Sequence, residues 1–152
     1  MKYSKLMKER IRRTGILFRE LGYEVIDGEI LEDTYTAGFE SNDGFQGGLF
    51  IDRDSKFLEL AFTFSFGPQL SGYLQDRMED LLQICYEFGC YVNLDVGEAD
   101  VTFSVFSKVY YAGLNYFSLK ETIKDFREAV DAIQDLLDLT HELDRGTADG
   151  DT

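Results

Sequence analysis

The chain has 152 residues, enough for one domain with a real core, and it is 44% hydrophobic and 29% charged, as a soluble globular protein would be. Its formal net charge of −14 and pI near 4.3 argue against a nucleic-acid surface reader, which needs clustered Lys and Arg to meet phosphates. No apolar run reaches the roughly 20 residues that span a bilayer, and the basic N-terminus lacks the apolar stretch of a signal peptide, so the expected setting is the cytoplasm with no membrane partner.

A first helix is expected over about Ser4 to Leu21. Met7, Ile11, Phe18 and Leu21 share a face, Thr14 fills one heptad step and Leu17 lies beside it, and Gly22 is the expected stop. This segment is basic: residues 1–21 hold seven Lys and Arg against Glu9 and Glu20, a balance of +5, which leaves −19 for the rest of the chain. Either the helix braces its own acidic body or it offers a basic docking face. A short strand follows at Tyr23–Ile26. Residues 27–34 are acidic and read equally as an extension of that strand or as a loop. Tyr35, Ala37 and Phe39 then alternate with Thr36, Gly38 and Glu40 as a strand does. Ser41-Asn-Asp-Gly44 marks a turn, a third strand runs from about Phe45 to Asp52, and Asp52-Arg-Asp-Ser55 turns the chain again.

Residues 56–66 give the clearest strand signal. Leu58, Leu60, Phe62, Phe64 and Phe66 point one way, and Phe57, Glu59, Ala61, Thr63 and Ser65 point the other, until Gly67-Pro68 ends the run. A second helix is expected as one piece over about Gln69 to Phe88, with a seam of Leu70, Leu74, Met78, Leu81, Cys85 and Phe88 and a stop at Gly89. Two strands come next, Cys90 to Asp95 and about Ala99 to Ala112, joined by the hairpin Val96-Gly-Glu-Ala-Asp100. In the latter strand Val101, Phe103, Val105, Val109 and Tyr111 share one face, and Thr102, Ser104, Phe106, Lys108 and Tyr110 the other.

The last helix, from about Ser118 to Leu143, organises the reading. Ser118-Leu-Lys-Glu121 has the form of a capping box. Leu119, Ile123, Phe126, Val130, Ile133 and Leu137 form a heptad seam, and Ala129, Ala132, Leu136, Leu139 and Leu143 form a second stripe beside it. A polar, acidic and disordered tail is expected over 144–152. The fold class that follows is α+β, a single domain over 1–143, with an antiparallel sheet and helices packed on one face, in the order α-β(3-4)-α-β-β-α.

The usual motifs of catalysis and cofactor binding are missing. There is no GxSxG, HExxH, GxxxxGK[ST] or GxGxxG. The sole histidine, His141, reads as a helix-terminal cation and not as a general base. Cys85 and Cys90 lack CxxC spacing and read as buried small hydrophobes in a reducing compartment. Asp95, Glu98 and Asp100, and likewise Asp52 and Asp54, are explained by turn chemistry. No catalytic residue, metal site or cofactor is therefore assigned.

Two features point to a partner. Aromatic residues Phe57, Phe106 and Tyr110 fall on the sheet face away from the helices, where they meet water, the acidic loop or another chain. Asp135, Asp138 and Glu142, with Leu136 and Leu139 beside them, sit at the negative end of the last helix, where anions are disfavoured by about 0.3–1 kcal/mol each. A basic partner would relieve them, and helix 1, a second subunit or a client each qualifies.

The order of elements, together with Gly48-Leu-Phe-Ile-Asp52…Phe57-Leu-Glu-Leu60, the helix Leu74 to Gly89 before Tyr91-Val-Asn-Leu94, and Leu114-Asn115…Leu119 leading into an acidic amphipathic helix, resembles the type III secretion chaperone-like fold and its YbjN-like members. That resemblance implies a non-enzymatic, often dimeric protein that binds polypeptides or regulates by binding. The acidic segment Asp27–Asp33 and the basic first helix depart from the secretion chaperones. The leading expectation is a cytoplasmic homodimeric binding module for a protein or peptide client. An acidic inhibitor of immunity type that neutralises a basic enzyme is the second, and an enzyme with an unrecognised carboxylate site is the third.

Overall fold

In the computed structural model, which describes residues 4–137, helix α1 runs over Lys5–Glu20. The Ser4 hydroxyl caps it by accepting the Met7 N–H at 3.1 Å. Gly22, at φ +90°, turns the chain out of the helix, as glycine does at little cost. Met7, Thr14, Leu17 and Phe18 are the buried face.

Strand β1 is longer than its first four residues suggest and spans Tyr23–Leu31. It is interrupted by a bulge between Ile26 and Glu29, with Asp27 in the left-handed region at φ +54°. The acidic segment is thus strand as far as Leu31, and Glu32 and Asp33 make the turn into the next strand. Strands β2 (Thr34–Ser41), β3 (Gln46–Asp52) and β4 (Phe57–Phe66) follow as hairpins.

The expected second helix is two. After a 3₁₀ turn at Pro68–Leu70 come α2 (Ser71–Asp76) and α3 (Met78–Glu87), broken at Arg77. Arg77 departs from helical geometry (φ −106°, ψ 4°), and its N–H bonds the Leu74 carbonyl only three residues back. Its guanidinium folds onto the Tyr73 carbonyl at 3.0 Å and over the Tyr73 ring at 3.4 Å. The Tyr73 hydroxyl in turn donates to the Leu137 carbonyl at the far end of the chain's last helix. The apolar seam survives the break, with Leu74, Leu81 and Cys85 buried.

Strands β5 (Tyr91–Val96) and β6 (Val101–Tyr110), a 3₁₀ turn at Tyr111–Gly113 and helix α4 (Tyr116–Leu137) complete the described chain. The capping box lies one turn earlier than the sequence motif suggests. Asn115 Oδ1 accepts the Ser118 N–H at 2.9 Å, and Ser118 Oγ accepts the Asn115 N–H at 2.9 Å. Ser118 is the third residue of the helix and Glu121 is an exposed residue inside it.

All pairings are antiparallel, and the sheet order is β1-β2-β3-β4-β6-β5. The crossover through α2 and α3 carries β5 to the edge, and β6 returns to pair with β4 over ten residues. The four helices among the described residues lie against one sheet face, giving the α+β architecture expected. All six residues of the α4 seam are buried, each contributing roughly 1.5–3 kcal/mol of apolar burial. In the second stripe Ala129 is fully buried and Leu136 packs half-buried on the core. Leu139, Leu143, His141 and the acidic tail lie outside the described residues.

Among the described residues, helix α1 is braced on the body through carbonyl groups and not through carboxylates. Arg10 reaches the Ser55 carbonyl at 3.1 Å and stacks over Tyr111 at 4.1 Å, and Arg13 donates to the Leu114 carbonyl. Arg12 pairs with Glu9 of its own helix.

Candidate functional site

Strand alternation sends one set of side chains into the helix layer and the other to the outer face. On the inner side Leu58 and Leu60 face Val109 and Ser107, and Phe66 faces Val101, all buried, while Phe62 and Phe64 of β4 are half-buried. The outer set is matched just as closely. Phe57 lies opposite Tyr110, Glu59 opposite Lys108 and Ala61 opposite Phe106. On the neighbouring strands Phe50 lies opposite Glu59, and Tyr91 opposite Phe106.

These residues touch. The rings of Phe57 and Tyr110 meet edge to face with centroids 5.7 Å apart, and Tyr91 stacks on Phe106 at 5.3 Å and 20°. Lys108 Nζ stands among three rings, 5.0 Å from Phe57, 5.4 Å from Tyr110 and 5.9 Å from Tyr91. The Tyr91 hydroxyl donates to the Glu59 carboxylate. Burial, and then that nearby negative charge, hold the phenol's pKa well above its ordinary value, so it stays a donor. Beside the rings, Thr34, Phe50, Asp52, Ser55, Phe57 and Glu59 line a shallow cavity of about 310 Å³. Tyr110 remains 53% exposed and Tyr91 38%.

The surface is charged as well as aromatic. Register places Glu24, Glu29, Glu40, Asp52, Glu59 and Asp95 on the outer side of the strands, with Lys108 as the one cation there among the described residues. Glu24 and Glu40 are direct cross-strand partners, an unfavourable like-charge pair. Arg19 shares a polar cavity with them at the β1 end.

The structure brings together Phe57, Phe106 and Tyr110, the three aromatic residues marked in the sequence, within one patch. The other set lies elsewhere. Asp135 is exposed and Leu136 half-buried at the end of α4, in the helix layer on the opposite side of the sheet. Asp138, Leu139 and Glu142 lie outside the described residues. Sequence reasoning missed Phe50, Tyr91 and the roles of Glu59 and Lys108. Alternation alone puts Glu59 and Lys108 on this face, but Tyr91 joins it only through the β5–β6 register.

Elsewhere the chemistry is quiet. Burial pushes the Cys85 thiol up to about 11 and the Cys90 thiol up to about 12, which keeps both protonated and poorly nucleophilic. Among the described residues no group of three His, Cys, Asp or Glu side chains converges as a metal site would require. The Asp52 carboxylate accepts the Asp54 N–H at 2.9 Å, a turn contact. Among the described residues no helix is long and apolar enough to cross a membrane.

Neither a family model nor a curated protein matches the chain. A solved structure is similar: the crystal structure of an uncharacterized protein from Methanothermobacter thermautotrophicus, with a TM-score of 0.61 at 15% identity over 88% of this chain and 98% of that chain. At such identity the likeness bears on the fold and on nothing further.

Proposed function

We propose that the protein is a non-enzymatic protein-binding module, chaperone-like or regulatory, whose working surface is the outer face of the sheet. The observation that carries this reading is the aromatic patch made by two ring pairs, Phe57 with Tyr110 and Tyr91 with Phe106, with Lys108 between them, which the helix layer leaves open. Contiguous aromatic surface outside the core marks interfaces, because large rigid rings bury much area at low entropic cost. A YbjN-like placement and a cytoplasmic setting with reduced Cys85 and Cys90 belong to the same proposal.

Dimerisation is part of it. The β5 edge suits a second copy, being a regular strand with Val96 56% exposed, whereas the bulge at Asp27 blunts the β1 edge. Light scattering at micromolar concentration tests this, with a dimer expected; a strict monomer would remove that part of the proposal. Affinity capture from native lysate at low and high salt, with a Phe57→Ala/Tyr110→Ala variant as control, tests the module itself. A partner held by wild type and released by the variant is expected, and identical captures would sink the reading. The second reading, an acidic inhibitor of a basic enzyme, is favoured by the acid excess on the outer face. Steep loss of capture with salt would support it.

A further inference from the structure

From the chemistry of the outer face we infer its occupant: an extended polypeptide segment bearing arginines, laid across β3, β4, β6 and β5. This rests on the binding-module reading and adds the partner's chemistry.

Three observations converge. First, the face already holds one cation of its own among its rings. An alkylammonium, Lys108 Nζ, sits between 5.0 and 5.9 Å from three ring centroids, with Glu59 its cross-strand neighbour. Rings that crowd around a cation beside a carboxylate form a cation site by construction. Second, one lysine does not balance the charge. Six outward carboxylates share the strands with it, and Asp52 and Glu59 line the cavity next to the Phe50 and Phe57 rings. A guanidinium satisfies both halves of that cavity at once, because it stacks flat on an aromatic ring while its edge donates to a carboxylate, which an ammonium does less well. Third, the charge argues against the competing occupant. Two copies packed outer face to outer face would oppose acid to acid over the whole sheet, and like-charge juxtaposition at an interface is strongly disfavoured.

The spacing also suits an extended guest. Neighbouring strands lie about 4.8 Å apart, so the Phe50–Phe57 cavity and the Tyr91–Phe106 stack are separated by a span that a few extended residues bridge. Two arginines on the same side of such a segment can reach one site each.

The probe is a fluorescein-labelled twelve-residue peptide of alternating Arg and Ser, with Lys-Ser and Glu-Ser peptides of equal length as comparisons. Binding is read by anisotropy at fixed moderate salt, and the contact surface by amide shifts in ¹⁵N spectra of the full chain. The Arg peptide is expected to bind more tightly than the Lys peptide, with no binding of the Glu peptide, and its shifts should concentrate on β3 to β6. Asp52→Asn/Glu59→Gln and Tyr110→Ala should each weaken it by about tenfold. Glu79→Gln/Asp80→Asn, which removes the same charge from the exposed start of α3, should change it less than about twofold. The spectra also show whether each variant stays folded.

Equal losses from both double variants, or shifts spread over the helices, would reduce the attraction to net charge and overturn the proposal. Shifts on the outer face that grow with protein concentration in the absence of peptide would overturn the cationic occupant in favour of a second copy. The face would then still be an interface, so the two readings fail separately. Lys and Arg peptides binding equally would overturn the guanidinium assignment.

Discussion

The start of α4 offers the sharpest test of how local sequence sets this fold. By motif, Ser118 and Glu121 form the capping box; in the structure Asn115 and Ser118 do. Asn115 Oδ1 takes the Ser118 N–H, Ser118 Oγ takes the Asn115 N–H, and the same hydroxyl donates to the Gly113 carbonyl at 2.7 Å. The Leu119 N–H bonds the Asn115 carbonyl at 3.0 Å, the first bond of the helical ladder. Asn115→Ala therefore leaves a helix-terminal N–H without its side-chain acceptor and should cost about 1 kcal/mol, within a range of roughly 0.5–2. For a chain of this length that lowers Tm by about 2–4 °C. Ser118→Ala loses the return bond and the tie to Gly113 and should cost a similar amount. The double variant should cost less than the sum of the two, because one reciprocal unit is broken in either case. Glu121→Gln should stay within about 0.5 kcal/mol of wild type, since Glu121 is an exposed helix residue with no capping role. Urea unfolding followed by far-ultraviolet circular dichroism measures all four with a common slope. A neutral Asn115→Ala beside a costly Glu121→Gln would refute the reasoning and restore the later box.

Three further outcomes follow from packing and titration. Gly47→Ala should destabilise by about 1–3 kcal/mol in urea unfolding, because an added Cβ would come within 2.6 Å of the Phe39 ring, which Phe18, Tyr23 and Phe45 hold in place; a neutral result would mean that ring is free to yield. The Asp43 carboxyl is held down at about 2 by the Ser41 hydroxyl, then by the Arg127 guanidinium at 2.6 Å and the Phe45 N–H. Its folded pKa is below the ordinary 3.8, so its stabilisation is present above that value and is lost as pH falls toward 2. The stability advantage of wild type over Asp43→Ala should therefore be flat from neutral pH to above about 4 and shrink below it, and a flat difference down to pH 2 would contradict the assignment. Cys85 and Cys90 have raised pKa values, near 11 and 12 against an ordinary 9, so their preference for the buried thiol is intact below pH 9 and lost as pH climbs through those values. Native protein at pH 8 should react slowly with a disulfide reagent at buried Cys85 and at half-buried Cys90 and give both thiols on unfolding; rapid labelling of Cys85 in the native chain would refute its burial.

Much of the layer architecture was legible because it rests on periodicity. The alternation of Leu58, Leu60 and Phe66 against Glu59, Thr63 and Ser65 assigns both faces of β4, and the heptad from Leu119 to Leu137 assigns the buried face of α4. Legibility fails where a residue leaves the period. Two residues of β1, Asp27 and Gly28, break the alternation at the bulge, so the strand signal in the sequence ends at Ile26. The break at Arg77 carries no Gly or Pro to announce it; its local bonds to Tyr73 and the tie from Tyr73 to Leu137 accompany it, and the latter spans 64 residues of chain. The outer site divides the same way. Phe57, Phe106 and Tyr110 follow from strand alternation, while Tyr91 meets Phe106 only because the crossover places β5 at the sheet edge beside β6.

The charge on the outer face solves a problem that its aromatic content creates. An open sheet face carrying two ring pairs, near an unbulged edge at β5, has the features that promote self-association. Here the rings are interspersed with outward carboxylates on five of the six strands, and on the remaining strand, β6, the charge is Lys108, held over the rings themselves. A second acidic copy is repelled from the face, while a cationic segment gains from the same carboxylates. Removing the acids should then have two linked effects of opposite sign: weaker capture of basic peptide and stronger face-to-face self-association. Asp52→Asn/Glu59→Gln tests both in one sample, by anisotropy for the first and by sedimentation velocity for the second. Loss of peptide binding without any gain in self-association would show that the acids select a partner but do not keep the copies apart.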